Sequence, residues 1–147
     1  MNRLINKGYS LAYARRGIAK RLSIGLLLCS QLMACSVATA NNQISVDALA
    51  VQIDQGTAPL ILDVRSPEEY ARGHIPSAIN IDYRDIPNQL DAIRSFNSNT
   101  IIVYCERGIR AGRADHILSN AGFESVVQLT GDMVAWRKAD LPMSTSQ

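Results

Sequence analysis

The chain has few of the side chains that build metal centres and disulfide frameworks. Among its 147 residues are two histidines and three cysteines, and Cys29 and Cys35 both lie within the first 40 residues. Beyond residue 40, Cys105 has no second cysteine with which to form an internal disulfide. Two isolated histidines and one cysteine also make a poor metal site. The sequence therefore predicts neither a bound metal nor another cofactor.

Acidic residues are missing from the first 40 positions, which carry six of the 15 basic residues. The remaining chain, residues 41–147, holds nine basic residues against all 13 acidic ones, a formal charge of −4. A mildly acidic body without a basic stripe lacks the electrostatic footprint of a nucleic-acid-binding protein. We therefore expect no nucleic-acid partner.

The first 40 residues have the pattern of an export signal. A basic stretch ends at Lys20 and Arg21, an apolar segment follows over 22–37, and Ala-Thr-Ala at 38–40 offers the small residues that a signal peptidase reads. The pattern predicts a signal peptide over 1–40, a mature soluble domain over 41–147 and a periplasmic location. The segment is short and interrupted by polar residues, which disfavours a membrane span. The sequence Leu-Met-Ala-Cys at 32–35 resembles a lipobox, so a lipoprotein anchored through Cys35 remains an alternative.

Strand and helix patterns alternate along the rest of the chain. Apolar runs predict strands over 60–65, 78–81, 100–104 and 125–129, and residues 41–43 are expected to be an irregular new terminus. Helical spacing and capping residues predict helices over 46–55, 67–72, 85–94, 111–120 and 132–139. The continuously apolar start of the 60–65 strand indicates that both faces of the sheet are covered. The fold class is therefore α/β, with an open parallel sheet between helices.

The segment from Ile101 to Ala111 is the most informative stretch of the chain. An apolar strand ends at Cys105, a tight loop with Gly108 follows, and a helical pattern begins after Arg110. In parallel sheets, ligands bind beyond the carboxyl ends of the strands. A thiol placed there, over backbone N–H groups and a helix N-terminus, is readily ionised and lies next to an anion-binding site. The other interpretation is that Cys105 is a small buried hydrophobe.

Three motifs carry a resemblance to a known family. They are LDVRSPEEY at 62–70 followed by GHIPSAINI at 73–81, VYCERGIRA at 103–111, and LTG at 129–131 with AW at 135–136 and LP at 141–142. In this order and spacing the chain resembles the rhodanese-like family in its single-domain exported bacterial form. The resemblance implies a five-stranded parallel sheet flanked by helices on both faces. The family often has two glycines where this chain has Gly131 and Asp132, a difference expected to affect the last helix and not the cysteine loop.

The resemblance also implies an activity, thiosulfate sulfurtransferase. Cys105 would take a sulfane sulfur from a small anionic donor such as thiosulfate, form a persulfide, and pass the sulfur to a thiophilic acceptor, cyanide or a thiol. The loop would supply the substrate-binding residues, which are Glu106, Arg107, Gly108, Ile109 and Arg110.

Each polar residue near the loop has an expected position. We expect Arg110 to hold a sulfonate or brace the loop, Arg107 to lie at the rim, and Glu106 to point into solvent. Asp63 and Arg65 end a buried strand at the same edge, where they would pair with each other or brace the loop as structural support.

Two other functions stay open at this point. Cysteine-based phosphatases and arsenate reductases resemble this arrangement, but in the phosphatases five residues separate the cysteine from the arginine. Here there are four, residues 106–109. A smaller ring of N–H groups suits one sulfur atom better than a phosphate. The second alternative is a rhodanese module without catalysis, acting as a sulfur carrier or binding a protein.

Overall fold

The computed structural model describes residues 42–146, so the predicted signal peptide and the alternative lipid anchor at Cys35 lie outside the described residues. The strands are β1 (Gln43–Ile44), β2 (Leu60–Asp63), β3 (Ile79–Asn80), β4 (Ile101–Tyr104) and β5 (Val126–Leu129). They form one parallel sheet in the order β1-β5-β4-β2-β3. Within residues 42–146, no helix has the length and apolar character needed to cross a membrane.

Helices cover both faces of the sheet, as predicted. They are α1 (Val46–Asp54), α2 (Pro67–Arg72), α3 (Leu90–Ser95), α4 (Ile109–Asn120) and α5 (Asp132–Lys138), with a 3-10 turn at Ile86–Asn88. Alternate strand residues point to opposite faces. Leu62 and Val103 therefore pack with α3 and α4 in one apolar cluster, while Ile61 and Ile102 pack with α1 and α5 in a second. The α/β class with a sheet buried on both sides is confirmed.

Three local predictions were wrong. Residues 41–43 were expected to be irregular, but Gln43 begins β1, which pairs with β5. The helix predicted over 85–94 is broken into the 3-10 turn and α3 at Gln89, whose backbone (φ −117°, ψ 10°) is not helical. Helix α4 begins at Ile109 rather than at residue 111.

The strand register positions the candidate site. Asp63 at the end of β2 lies opposite Tyr104 at the end of β4, so the residues that follow the two strands emerge side by side at the carboxyl edge of the sheet. Tyr104 is fully buried, and its hydroxyl accepts a hydrogen bond from the Ile75 N–H at 3.1 Å. Burial raises the pKa of Tyr104, so the hydroxyl stays neutral.

Removal of the Tyr104 hydroxyl tests whether its hydrogen bond with Ile75 stabilises the carboxyl edge of the sheet. The change Tyr104→Phe leaves the buried Ile75 amide without its acceptor, so we expect the free energy of unfolding to fall by about 1–3 kcal/mol. Urea denaturation measures it. Tyr83→Phe is the matched control, because that hydroxyl lies 3.4 Å from Arg113 at a more exposed position and its loss should cost less. Equal losses in the two variants would contradict the assignment.

Candidate active site

Cys105 lies directly after β4, and the loop that follows curls back toward its thiol. The Sγ atom accepts a hydrogen bond from the Gly108 N–H at 3.1 Å. Gly108 has φ +91°, in the region that favours glycine, and it immediately precedes α4. Only 1% of the Cys105 surface is exposed. The structure therefore places the predicted thiol at the N-terminal end of α4, with at least one loop amide directed at sulfur.

Asp132, which the sequence analysis did not include in the site, holds Cys105 from the other side. Its Oδ1 accepts the Cys105 N–H at 2.7 Å, and the N–H of Met133 donates to the Cys105 carbonyl at 3.2 Å. A Cβ atom added to Gly108 would lie 3.2 Å from Asp132 Oδ2. The expectation that Asp132 affects only the last helix was wrong, because α5 begins beneath the cysteine loop.

Burial determines the electrostatics of Asp132. The residue is 5% exposed, and loss of solvent raises the pKa of its carboxyl group, an effect that the hydrogen bond from the Cys105 amide opposes. Asp132 also adopts a left-handed backbone with φ +53°, which is uncommon outside glycine but tolerated by aspartate. One feature of the sequence could have indicated this role. Asp132 stands where the family often has the second of two consecutive glycines.

Arg110 lies in the first turn of α4, and its guanidinium forms a two-point ion pair with Glu69. The NH1 and NH2 groups donate to the carboxylate at 2.5 and 2.8 Å. The pair lowers the pKa of Glu69 to about 2 and raises that of Arg110. Of the two expected roles of Arg110, the structure shows the contact that braces the loop, because Glu69 belongs to α2.

Glu69, like Asp132, belongs to the site although the sequence analysis did not include it there. It was recognised only as an acidic residue in the first turn of α2. In the structure it also completes a capping box with Ser66, whose N–H donates to the Glu69 carboxylate at 3.1 Å. One side chain thus fixes the start of α2 and holds the arginine of the cysteine loop.

Asp63 and Arg65 form a buried pair at the end of β2. The Arg65 Nε and NH2 groups donate to the carboxylate at distances between 2.6 and 3.1 Å, and NH2 also donates to the Gly73 carbonyl at 2.8 Å. The NH1 group lies 3.7 Å from a Glu106 oxygen. Both expected contacts therefore occur, since Arg65 pairs with Asp63 and also reaches the loop.

Glu106 does not point into solvent as expected. Its carboxylate contacts Arg137 of α5 as well as Arg65, and its side chain is 30% exposed. Two guanidinium groups from neighbouring elements attract it toward the protein surface. Arg107 is exposed, as the rim prediction stated, and Ile109 beside it is 72% exposed.

A polar groove with a volume of about 360 Å³ adjoins the loop. It contains three guanidinium groups and two carboxylates, and its lining residues are Arg65, Glu69, Arg72, Gly73, Glu106, Arg137 and Met143. Such a groove can bind a small charged molecule near the thiol. In the part of the chain that the structure describes, no three His, Cys, Asp or Glu side chains come together in a way that could hold a metal ion.

The sequence model of the rhodanese-like domain matches residues 45–139. The chain belongs to the rhodanese-like family. That range contains the strand ends, the cysteine loop and Asp132, so the site described above lies within the family's domain.

Relatives and solved structures agree with this membership. The rhodanese-like chain is 29% identical over 102 residues to a sulfurtransferase of Allochromatium vinosum, covering 69% of this chain and 94% of the relative. It is 38% identical over 91 residues to the chloroplastic thiosulfate sulfurtransferase 16 of Arabidopsis thaliana, covering 55% and 76%. A crystal structure of a Bacillus halodurans protein matches with a TM-score of 0.64 and 29% identity, covering 71% and 77%.

The ion pair between Glu69 and Arg110 predicts a stability effect that depends on pH. Glu69→Gln keeps the capping box but removes the charge, so we expect unfolding at neutral pH to cost about 1 kcal/mol less than in the parent. Because folding lowers the pKa of Glu69 from 4.5 to about 2, this contribution is present above pH 4.5 and disappears as pH falls toward 2. Denaturant titrations of the parent and the variant, at neutral pH and again as the pH approaches 2, measure the difference in the free energy of unfolding. Glu124→Gln, at an exposed residue that has no ion pair within residues 42–146, is the control. A Glu69 effect that persists unchanged in acid would contradict the ion pair.

Proposed function

We propose that the protein is a sulfurtransferase that moves a sulfane sulfur from thiosulfate or a similar donor to a thiophilic acceptor, cyanide or a thiol. The observation that carries this proposal is the cysteine loop. The Gly108 N–H points at Cys105 Sγ at 3.1 Å, and four residues separate the thiol from Arg110. The membership in a family with sulfurtransferase relatives supports the same reaction class.

The reaction has two nucleophilic steps. The Cys105 thiolate attacks the outer sulfur of the donor, a bond from Sγ to that sulfur forms, and the donor's sulfur–sulfur bond breaks. With thiosulfate, sulfite leaves with the electron pair and a persulfide anion remains on Cys105. An acceptor such as cyanide then attacks the outer sulfur, giving thiocyanate and restoring the thiolate. Atoms and electrons balance in both steps without a metal ion or a redox partner.

The residues around Cys105 divide these tasks. Loop amides, of which that of Gly108 already contacts Sγ, stabilise negative charge on sulfur. Arg110 cannot turn freely toward a substrate because Glu69 holds two of its donors, so its role is to brace the loop and to contribute positive charge. Exposed Arg107 is placed to attract an anionic donor from solvent.

Sulfur uptake by Cys105 is the direct test. Incubation of the protein with thiosulfate should increase the mass of the Cys105-containing peptide by one sulfur atom, because the persulfide is a covalent intermediate. Peptide mapping by mass spectrometry, under conditions that do not reduce persulfides, measures it. In the Cys105→Ser variant the added sulfur should be absent, and thiocyanate formation from thiosulfate and cyanide should fall to background.

Three results would overturn the proposal. Thiocyanate formation that survives Cys105→Ser would show that another group performs the transfer. An unmodified Cys105 peptide, together with hydrolysis of an aryl phosphate faster than sulfur transfer, would favour the phosphatase alternative. An unmodified peptide without either activity would identify a module that does not react with thiosulfate and that functions by binding.

We further propose that the domain is exported to the periplasm after removal of residues 1–40. Support comes from the basic stretch, apolar segment and small residues of the N-terminal sequence. Sequencing the N-terminus of protein isolated from expressing cells should identify Asn41 as the first residue. A blocked, lipid-modified Cys35 would instead establish the lipoprotein alternative, and an intact Met1 would contradict export.

A further inference from the structure

Most of the positive charge around Cys105 is paired with carboxylates. Three guanidinium groups around the loop each face a carboxylate, and the pairs are Arg65–Asp63, Arg110–Glu69 and Arg137–Glu106. Asp132 adds a fourth carboxylate, and no lysine or arginine of residues 42–146 lies within ion-pair distance of it. The exposed cations Arg107 and Arg72 remain, but water and salt screen them.

Asp132 is also the carboxylate that lies closest to the reacting residue. Its Oδ1 is 2.7 Å from the Cys105 nitrogen, and its Oδ2 faces Gly108, whose amide contacts Sγ. The side chain is 5% exposed, so little water screens its charge. The left-handed backbone at this position would suit glycine better. The chain thus carries a buried carboxyl group at a position where backbone preference does not require one.

We propose that Asp132 determines donor specificity, by favouring sulfane-sulfur donors with one negative charge over dianionic donors such as thiosulfate. The inference rests on the proposed sulfurtransferase function. The favoured class is a thiosulfonate, R–SO₂–S⁻. Its outer sulfur bonds to Cys105 Sγ, its sulfur–sulfur bond breaks, and a sulfinate leaves with the electron pair. A thiosulfate dianion brings a second charge toward the same carboxylate and is repelled more strongly.

The experiment compares two donors with cyanide as the common acceptor. The ratio of kcat/KM for thiosulfate to kcat/KM for benzenethiosulfonate is measured in the parent and in Asp132→Asn. Asparagine keeps an oxygen for the Cys105 amide and tolerates the left-handed backbone, so the change removes charge alone. We expect the ratio to rise about fivefold, the effect of one partly screened charge at this range. The parent should prefer the thiosulfonate.

Asp140→Asn is the matched control. Asp140 has the same backbone φ of +53° and is exposed, so its charge should leave the ratio unchanged. If Asp132→Asn is poorly folded, Asp132→Gly gives a second measurement, since it removes the charge at a backbone suited to glycine. A ratio that stays at the parent value in a folded Asp132 variant would overturn the inference, as would an equal shift in the control.

A second measurement separates this inference from the proposed function. Cys105 in the folded protein is alkylated by anionic iodoacetate and by neutral iodoacetamide, reactions that require no sulfur transfer. The extent of alkylation is then measured on the Cys105-containing peptide. The rate ratio of iodoacetate to iodoacetamide should rise in Asp132→Asn by a similar factor, because the same charge repels the anionic reagent. If neither donor is turned over but this ratio rises, the sulfurtransferase proposal fails while the charge effect of Asp132 stands. An unchanged alkylation ratio contradicts the charge effect itself.

Discussion

The start of α5 holds the backbone of Cys105 at two points, and the geometry of the site depends on that anchorage. The Asp132 carboxylate accepts the Cys105 amide, and the Met133 amide donates to the Cys105 carbonyl. With the residue fixed, the chain must turn sharply to enter α4, and the left-handed backbone of Gly108 makes the turn. This turn brings an N–H group to the sulfur. Two segments that are distant in sequence thus form one candidate site.

Around this anchorage, arginine acts as a structural residue more than as an anion ligand. Arg110 connects the cysteine loop to α2 through Glu69, and Arg65 connects the end of β2 to Gly73 and to Glu106. Arg110 keeps its charge near Cys105 while it holds Glu69, so it and the Gly108 amide both face charge that develops on sulfur. The Gly108 amide reaches the sulfur within the four-residue spacing from Cys105 to Arg110. In the specificity that we propose, a single buried carboxylate beside these groups influences which donor reacts.

Local patterns in the sequence predicted the fold and the position of the thiol. Apolar runs bounded by turn residues identified four strands, and the family resemblance supplied a fifth, which is the two-residue β1 and too short to show a pattern of its own. Gln89, with a non-helical backbone, interrupts a helix that apolar spacing alone had extended. The partners of the loop could not be predicted in this way. Asp132 and Glu69 lie 27 and 41 positions from the groups they contact, and only tertiary packing brings them together.

We propose that a sulfur atom bound to Cys105 is held by the backbone amides of the loop, as the Gly108 amide holds Sγ. A crystal structure of the protein after reaction with a sulfane-sulfur donor tests it most directly. The account predicts density for a second sulfur on Cys105, within hydrogen-bonding distance of backbone N–H groups between residues 106 and 110. An added sulfur that points away from these amides into solvent, or a Cys105 that carries no sulfur, would contradict it.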